Sequence, residues 1–296
     1  MKFTPTVLLV ISLLGLGACA HSSKLQAKTA EVKMQSGYAP VNGLKLYYEV
    51  YEPTEELKNP IPLLLLHGGG STIESNWAKF IPLVAKHRKI IAMEEQGHGH
   101  TVAIDRPFTF DNSAHDAAAL LDYLKIDKAD IMGFSNGGTI ALRVAHFAPH
   151  KVNKLVIASA QYRRDGMFKG FWDGMNKASM ANMPKELLAA DRKINPDPKH
   201  QEQLFLQDSR RMQGFKDIPE KEIKSITAPT LVLLGDQDAI TVEHALRMSR
   251  TVQHGRLAVL PGTHGNYIGE VAATTSESSK MPEATAIIVS EFLDLR

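Results

Sequence analysis

Ile131-Met132-Gly133-Phe134-Ser135-Asn136-Gly137-Gly138 is the stretch that decides the fold. It ends a short apolar run, Ala129 to Met132, and opens a segment with helical spacing, Thr139 to Phe147. Gly133-x-Ser135-x-Gly137 fits a nucleophile elbow, a sharp strand-to-helix turn that lifts a serine hydroxyl to the top of a sheet. A serine in so strained a backbone needs neighbours without Cβ atoms, or strand and helix collide. Alone, the motif is also compatible with an ordinary glycine-rich turn.

Outward from the elbow, strands and helices alternate. Tyr38 to Val41, an Asn42-Gly43 turn and Leu44 to Tyr51 predict a hairpin with a type I′ turn. Pro62 to Leu66 is wholly apolar, as in a strand buried on both faces of a parallel sheet. Helical spacing over Asn76 to Lys86 leads to a strand at Lys89 to Met93, and Ser113 to Leu124 predicts an amphipathic helix. After the elbow come a strand at Leu155 to Ala158, a strand at Thr230 to Leu234, a helix at Val242 to Val252, a strand at Arg256 to Leu260 and a last helix at Pro282 to Leu293. Such alternation argues an α/β fold with a mostly parallel sheet and right-handed crossovers. Residues 161–227 interrupt it with helix-like sequence and no strand pattern, at the sheet end where ligands bind in open α/β folds. They are expected to form a helical cap; the alternative is an elaboration away from the site.

The chain has 296 residues, 44% hydrophobic and 22% charged, enough for a sizeable core. Its formal charge of +2 is spread without a basic block, so no nucleic-acid partner is expected. The N-terminus differs in kind. Lys2 precedes an apolar run, Val7 to Leu16, too short to span a bilayer comfortably, which takes about 20 residues. Leu16-Gly17-Ala18-Cys19 then resembles a bacterial lipobox, which implies cleavage before Cys19 and its lipidation. Cys19 is the sole cysteine, so it has no disulfide partner within the chain. Acyl chains contribute about 0.8 kcal/mol per buried CH₂, and more than one makes anchoring durable. The expectations are a lipoprotein-type signal peptide over 1–18, a flexible tether over 19–36, and a lipid anchor in the bacterial envelope. Ala20 resembles lipoproteins sorted to the periplasmic face of an outer membrane. A plain signal peptide is the alternative.

His67-Gly68-Gly69-Gly70 and Gly97-His98-Gly99 mark the ends of two more strands. With the elbow, they make residues 37–160 and 228–296 resemble the α/β-hydrolase family. That family's second glycine motif usually begins with Asp and ends with Arg-Ser; Glu94, Gln96 and Thr101 stand here instead. The resemblance implies a serine nucleophile, then an acid, then a histidine in chain order. Gly235-Asp236-Gln237-Asp238 offers two carboxylates, and the family spacing selects Asp238, leaving Asp236 to shape the turn. His264, in Pro261-Gly262-Thr263-His264, occupies the loop after the last strand. Ser135, Asp238 and His264 are therefore the expected catalytic residues. The backbone N–H groups of Gly69 and Asn136 are the expected oxyanion donors. A serine at the elbow argues against the dehalogenases and epoxide hydrolases of this scaffold, which carry aspartate there.

The remaining residues receive blander readings. His98-Gly99-His100 has no third ligand at recognisable spacing, so no metal and no cofactor is expected. His67 is read as bonding its own loop, and His244 and His254 as surface groups flanking a helix. Met167, Phe168, Phe171, Trp172, Met175, Met180 and Met183 either line an acyl pocket or bury the cap. Arg163 and Arg164 are read as a solvated turn. The expected activity is cleavage of a small or medium carboxylic ester, with lactone, C–C or amide hydrolysis and acyl transfer as alternatives. A non-catalytic envelope-binding lipoprotein is the rival of another class, against which the complete Ser–Asp–His set argues.

Overall fold

Four leucines, Leu63–Leu66, lie beside Ala129–Phe134 in the middle of an eight-stranded sheet, and every residue of both strands is buried. The computed structural model describes residues 32–57, 60–273 and 278–295. The expected signal peptide, Cys19 and most of the expected tether lie outside them. The strands are β1 (Met34–Val41), β2 (Leu44–Tyr51), β3 (Leu63–Leu66), β4 (Ile90–Met93), β5 (Ala129–Phe134), β6 (Val152–Ala158), β7 (Thr230–Gln237) and β8 (Gly255–Thr263). Their spatial order is β1-β2-β4-β3-β5-β6-β7-β8. β1–β2 and β2–β4 are antiparallel and all other pairs parallel.

β1 opens at Met34, within the stretch assigned to the tether, and pairs with β2 across Asn42 and Gly43, both at positive φ (47° and 83°) as a type I′ turn requires. Strand side chains alternate between two faces, and each face has its own core. Leu64, Leu66, Ile131, Leu155 and Val232 face one way; Leu63, Leu65, Met132, Val156 and Leu231 face the other. On the first face pack α3 (Phe110–Tyr123), α4 (Asn136–Phe147) and α9 (Val242–Thr251). The second is covered by α1 (Ile73–Trp77), α2 (Ile81–Val84) and α10 (Met281–Asp294). The result is a three-layer α/β sandwich.

The helix expected over Asn76 to Lys86 is instead two short ones. Pro82 sits in the first turn of α2, where its missing N–H costs nothing, and one helix continued through it would lose a bond there. α1 starts earlier than expected because Thr72 caps it, accepting from Ser75 N while Ser75 Oγ accepts from Thr72 N. Thr109 likewise starts α3 three residues before Ser113.

Between β6 and β7 the chain forms α5 (Phe171–Asn176), α6 (Lys185–Ile194), α7 (Pro198–Gln213) and α8 (Glu220–Lys224). No strand occurs among residues 161–227, although Met167 makes a single bridge to Ile240. Among the described residues no helix is long and apolar enough to cross a membrane.

The elbow is a tight contact between layers. A Cβ on Gly137 would sit 2.1 Å from Leu66 O of β3, and one on Gly133 2.0 Å from Gly137 O. Both obstacles are backbone, so neither yields cheaply. Gly137→Ala is expected to lower the unfolding free energy by about 3 kcal/mol, the upper end of ordinary overpacking, as urea denaturation would measure.

Candidate active site

Ser135 caps α4 at φ 54° and ψ −120°, a conformation that non-glycine residues avoid. Its amide is tied to Ala158 O of the neighbouring strand (2.8 Å) and its carbonyl accepts from Gly138 N (2.9 Å). The hydroxyl stands clear of the sheet, 3.1 Å from His264 Nε2. His264 follows the end of β8, and its Nδ1 lies 2.7 Å from Asp238 Oδ1. A carboxylate cannot donate, so the ring proton sits on Nδ1 and Nε2 presents a lone pair to the serine.

Asp238 is enclosed at the end of β7. Oδ1 also accepts from Ile240 N (3.1 Å), and Oδ2 accepts from Gly235 N (3.3 Å) and from Ser159 Oγ. Burial pushes its pKa up, but His264, Ser159 and the Ile240 amide together hold it below the ordinary carboxylate range. Ser159 is itself at positive φ (49°), and its hydroxyl lies 2.5 Å from the buried Tyr267 hydroxyl. Asp236 points elsewhere: its exposed carboxylate accepts from Gly262 N (2.7 Å) and so shapes the loop that carries His264. The structure thus brings Ser135, Asp238 and His264 into one hydrogen-bonded line and leaves Asp236 outside it.

Above Ser135 lies a cavity of about 270 Å³. Gly69, Gly70, Ser135 and Asn136 form its floor, and Phe171, Met175, Met183, Leu187 and Phe205 of the insertion supply most of its apolar wall. Of the aromatic and methionine residues singled out in the insertion, Phe168 is exposed, Met167 is buried, and Trp172 stacks on Phe215 with Arg164 over its other side. Arg163 pairs with Asp165 at the surface, so neither arginine reaches the cavity. A larger groove, about 490 Å³, takes Arg210 and Arg211 from α7 and contains none of Ser135, Asp238 and His264.

The expected oxyanion donors also face this cavity. Asn136 is the first residue of α4, so its N–H has no acceptor within the helix. Gly68 N donates to Asn76 Oδ1 (2.7 Å) and Gly70 N to Asp208 Oδ2 (2.6 Å). The Gly69 N–H between them has no partner among the described residues.

Comparison with known proteins bears on the fold. Residues 61–195 match the alpha/beta hydrolase fold family. A 2-hydroxy-6-oxo-2,4-heptadienoate hydrolase of Pseudomonas putida is 28% identical over 236 residues, 70% of this chain and 83% of that one. The acetyltransferase component of the acetoin cleaving system of Pseudomonas putida is 30% identical over 78% of this chain, which spans only 57% of that protein. The structure of a meta-cleavage product hydrolase from Pseudomonas fluorescens IP01 superposes with a TM-score of 0.69 at 21% identity, covering 88% of this chain and 97% of that one. The chain is an α/β-hydrolase-fold enzyme.

This α/β-hydrolase also carries a buried charge cluster beside the oxyanion loop. Asp208 of α7 contacts His98 Nε2 (3.0 Å) and Arg211 Nη2 (2.8 Å), and Arg211 Nη1 donates to Glu95 Oε2 (2.6 Å). His98 Nδ1 faces Gln96 O (3.1 Å), and its Nε2 faces both Asp208 Oδ2 (3.0 Å) and the Gly70 N–H (3.2 Å). Burial disfavours a charged ring, but Asp208 and Glu95 raise its pKa. His67, 5.0 Å away ring to ring, is neutral: Nδ1 donates to Gly68 O and Nε2 accepts from Glu95 N. Its pKa is lowered first by burial and then by the charge of His98. His67, Glu95 and His98 bring three potential metal ligands within 4.8 Å of one another, a convergence that spacing did not reveal. Glu95 is already bonded to the Arg211 guanidinium, whose charge would repel a cation beside it, and His67 Nε2 already accepts from Glu95 N. His100 is not part of the group: it bonds Glu94 and stacks on Tyr47.

Sequence reasoning missed Asp208, Arg211, Glu95, Ser159 and Tyr267. The one available signal was the pair Asp208 and Arg211 on one helix face, beside two acids, Glu94 and Glu95, ending an apolar strand. His244 is a correction. It is buried rather than a surface group, because α9 turns it inward with Ala245 and Met248. Its Nε2 accepts from Tyr162 N (3.2 Å), and burial lowers its pKa to about 4. The folded state therefore resists a proton that the unfolded chain accepts near pH 6.5, so this contribution is full above 6.5 and lost as pH falls towards 4. Relative to His244→Gln, the wild type is expected to lose about 2 kcal/mol more stability between pH 7 and pH 5, as denaturant titrations at the two pH values would measure.

Proposed function

We propose that the protein is a serine hydrolase that cleaves a small, neutral carboxylic ester through an acyl-Ser135 intermediate. The observation that carries this reading is the line Ser135–His264–Asp238, at 3.1 and 2.7 Å, with unengaged amides of Gly69 and Asn136 facing the same cavity. Ser135 Oγ attacks the acyl carbon as His264 Nε2 takes its proton. Asp238 keeps Nδ1 protonated and stabilises the imidazolium that forms. The acyl oxygen gains negative charge between the Gly69 and Asn136 N–H groups, where losing one donor costs on the order of 3 kcal/mol. Collapse returns the His264 proton to the departing alcohol. Water then attacks the acyl carbon, with His264 as base, and frees the carboxylic acid and Ser135.

Size and charge narrow the substrate. A cavity of about 270 Å³ is near the lower end of small-molecule sites, which run from about 300 Å³, and suits a small acyl group. Among the described lining residues the one formal charge is the Asp208 carboxylate, and its counter-charges, Arg211 and His98, are committed to it and to Glu95. A neutral acyl chain suits this wall better than an anionic one. The second reading is C–C bond hydrolysis of a 2-hydroxy-6-oxo-dienoate on the same residues, favoured by the identity to the Pseudomonas putida hydrolase. For location, we propose a lipid anchor at Cys19, supported by the lipobox-like Leu16-Gly17-Ala18-Cys19. Mass spectrometry of the mature N-terminus tests it: acylated Cys19 is expected, and an unmodified cysteine removes the anchor.

Four measurements on the purified enzyme separate the catalytic readings. A fluorophosphonate should label wild type and not Ser135→Ala. Asp238→Asn should lower kcat by about 10⁴, the cost of a wrong histidine tautomer, while Asp236→Asn stays within about tenfold, an effect on loop shape alone. p-Nitrophenyl esters should peak in kcat/KM at a short acyl chain. Turnover of the dienoate exceeding that of every ester would replace the ester reading with the second one.

A further inference from the structure

We infer that Asp208, a residue of the helical insertion, is a positioning residue for the oxyanion loop. The inference rests on the proposed reading of Gly69 N–H as an oxyanion donor and adds what holds that donor in place. The loop Gly68-Gly69-Gly70 is gripped at two points. Gly68 N is held by Asn76 Oδ1 from α1 of the core (2.7 Å), and Gly70 N chiefly by Asp208 Oδ2 from α7 (2.6 Å), with His98 Nε2 a longer second acceptor (3.2 Å). Between two fixed amides the Gly69 peptide has little freedom to rotate, so its N–H direction is set by both anchors. Gly70 is at φ +67°, a conformation from which an unanchored glycine readily departs. The packing is as close as the bonding: a Cβ on Gly69 would meet Asn136 Nδ2 at 2.5 Å and Asp208 Cγ at 3.6 Å.

Asp208 is itself immobilised. Oδ2 receives His98 as well as Gly70 N, Oδ1 receives Arg211, and the Arg211 guanidinium lies over the Phe108 and Phe110 rings at 3.9 and 4.7 Å. Glu95 and Asp208 share the Arg211 guanidinium, so each buried carboxylate meets a cation. The carboxylate reaches the loop from the insertion, whereas Ser135, Asp238 and His264 all come from the core. Docking of α7 and a complete oxyanion hole are therefore one event: a chain with the insertion displaced would keep its nucleophile, its base and the Asn136 donor, and lose the alignment of the Gly69 donor.

Asp208→Ala and Asp208→Asn in the full chain test this with a p-nitrophenyl ester. Asp208→Ala is expected to lower kcat by about 10- to 100-fold, the cost of a misdirected donor, with KM changed by less than about threefold because Gly69 N–H gains its charge partner only in the transition state. Asp208→Asn keeps a carbonyl oxygen for Gly70 N and should recover part of the loss. An alkylboronic acid, whose tetrahedral adduct on Ser135 places an oxygen in the hole, should weaken in parallel with kcat. A ground-state competitor, the N-alkyl amide of the same acyl chain, should keep its affinity. Retention of kcat within twofold in Asp208→Ala overturns the inference, as does an equal loss of affinity for boronate and amide, which marks general damage to the pocket. If circular dichroism shows Asp208→Ala unfolded, the boronate-to-amide ratio of Asp208→Asn decides on the same terms. A wild type that neither turns over esters nor reacts with a fluorophosphonate overturns the hydrolase reading and this inference together. An active wild type matched by Asp208→Ala overturns this inference alone.

Discussion

A side chain on Gly137 would have nowhere to go: Leu66 O of β3 already fills the place of its Cβ. That approach of helix to strand governs the centre of the molecule. It lets α4 begin immediately after β5, forces Ser135 into its left-handed backbone, and directs the first amides of the helix at the cavity. The strain of about 1–3 kcal/mol expected for such a residue persists because the amide and carbonyl of Ser135 are both bonded and both flanking strands are buried. The same crowding leaves Asn136 N–H without a helical acceptor, so one steric constraint sets both the exposed Ser135 hydroxyl and the free amide beside it.

Around that fixed point, the site is completed by two networks of opposite character. Behind His264 the network is compact: Asp238 collects donors from Ile240, Gly235 and Ser159, and Tyr267 backs Ser159. Each hydrogen bond to the ionised carboxylate favours its charged form, which is the form that orients a histidine. Beside the oxyanion loop the network spans two parts of the chain, joining Glu95 and His98 of the core to Asp208 and Arg211 of the insertion. An apolar seam would hold α7 as firmly but would tolerate sliding; ionic groups with fixed hydrogen bonds accept a single register.

The sheet was legible because its central strands are short, wholly apolar and separated by glycine-marked turns, and because the Asn42-Gly43 turn requires positive φ. Ser135, Asp238 and His264 were legible for a related reason: each ends or follows a strand, and motif spacing reads strand ends well. Helix limits were less so, since Pro82 splits one predicted helix whose start the Thr72 cap moves earlier, and the Thr109 cap lengthens another. Tertiary pairing left little trace. Asp208 and Glu95 lie over a hundred residues apart, and neither carries a local pattern to announce the other. His244 failed as a reading because its polar side chain occupies the apolar face of α9, where hydrogen bonding to a backbone amide substitutes for solvent.

The distribution of the site along the chain has a consequence for its making. A ribosome delivers Ser135 with the first half of the sequence, while Asp238 and His264 come after the whole helical insertion, on β7 and β8. Until those last strands join the sheet, Ser135 lacks the histidine and carboxylate that line up behind it, although the insertion carrying Asp208 has already emerged. Completion of the line therefore waits for the end of assembly.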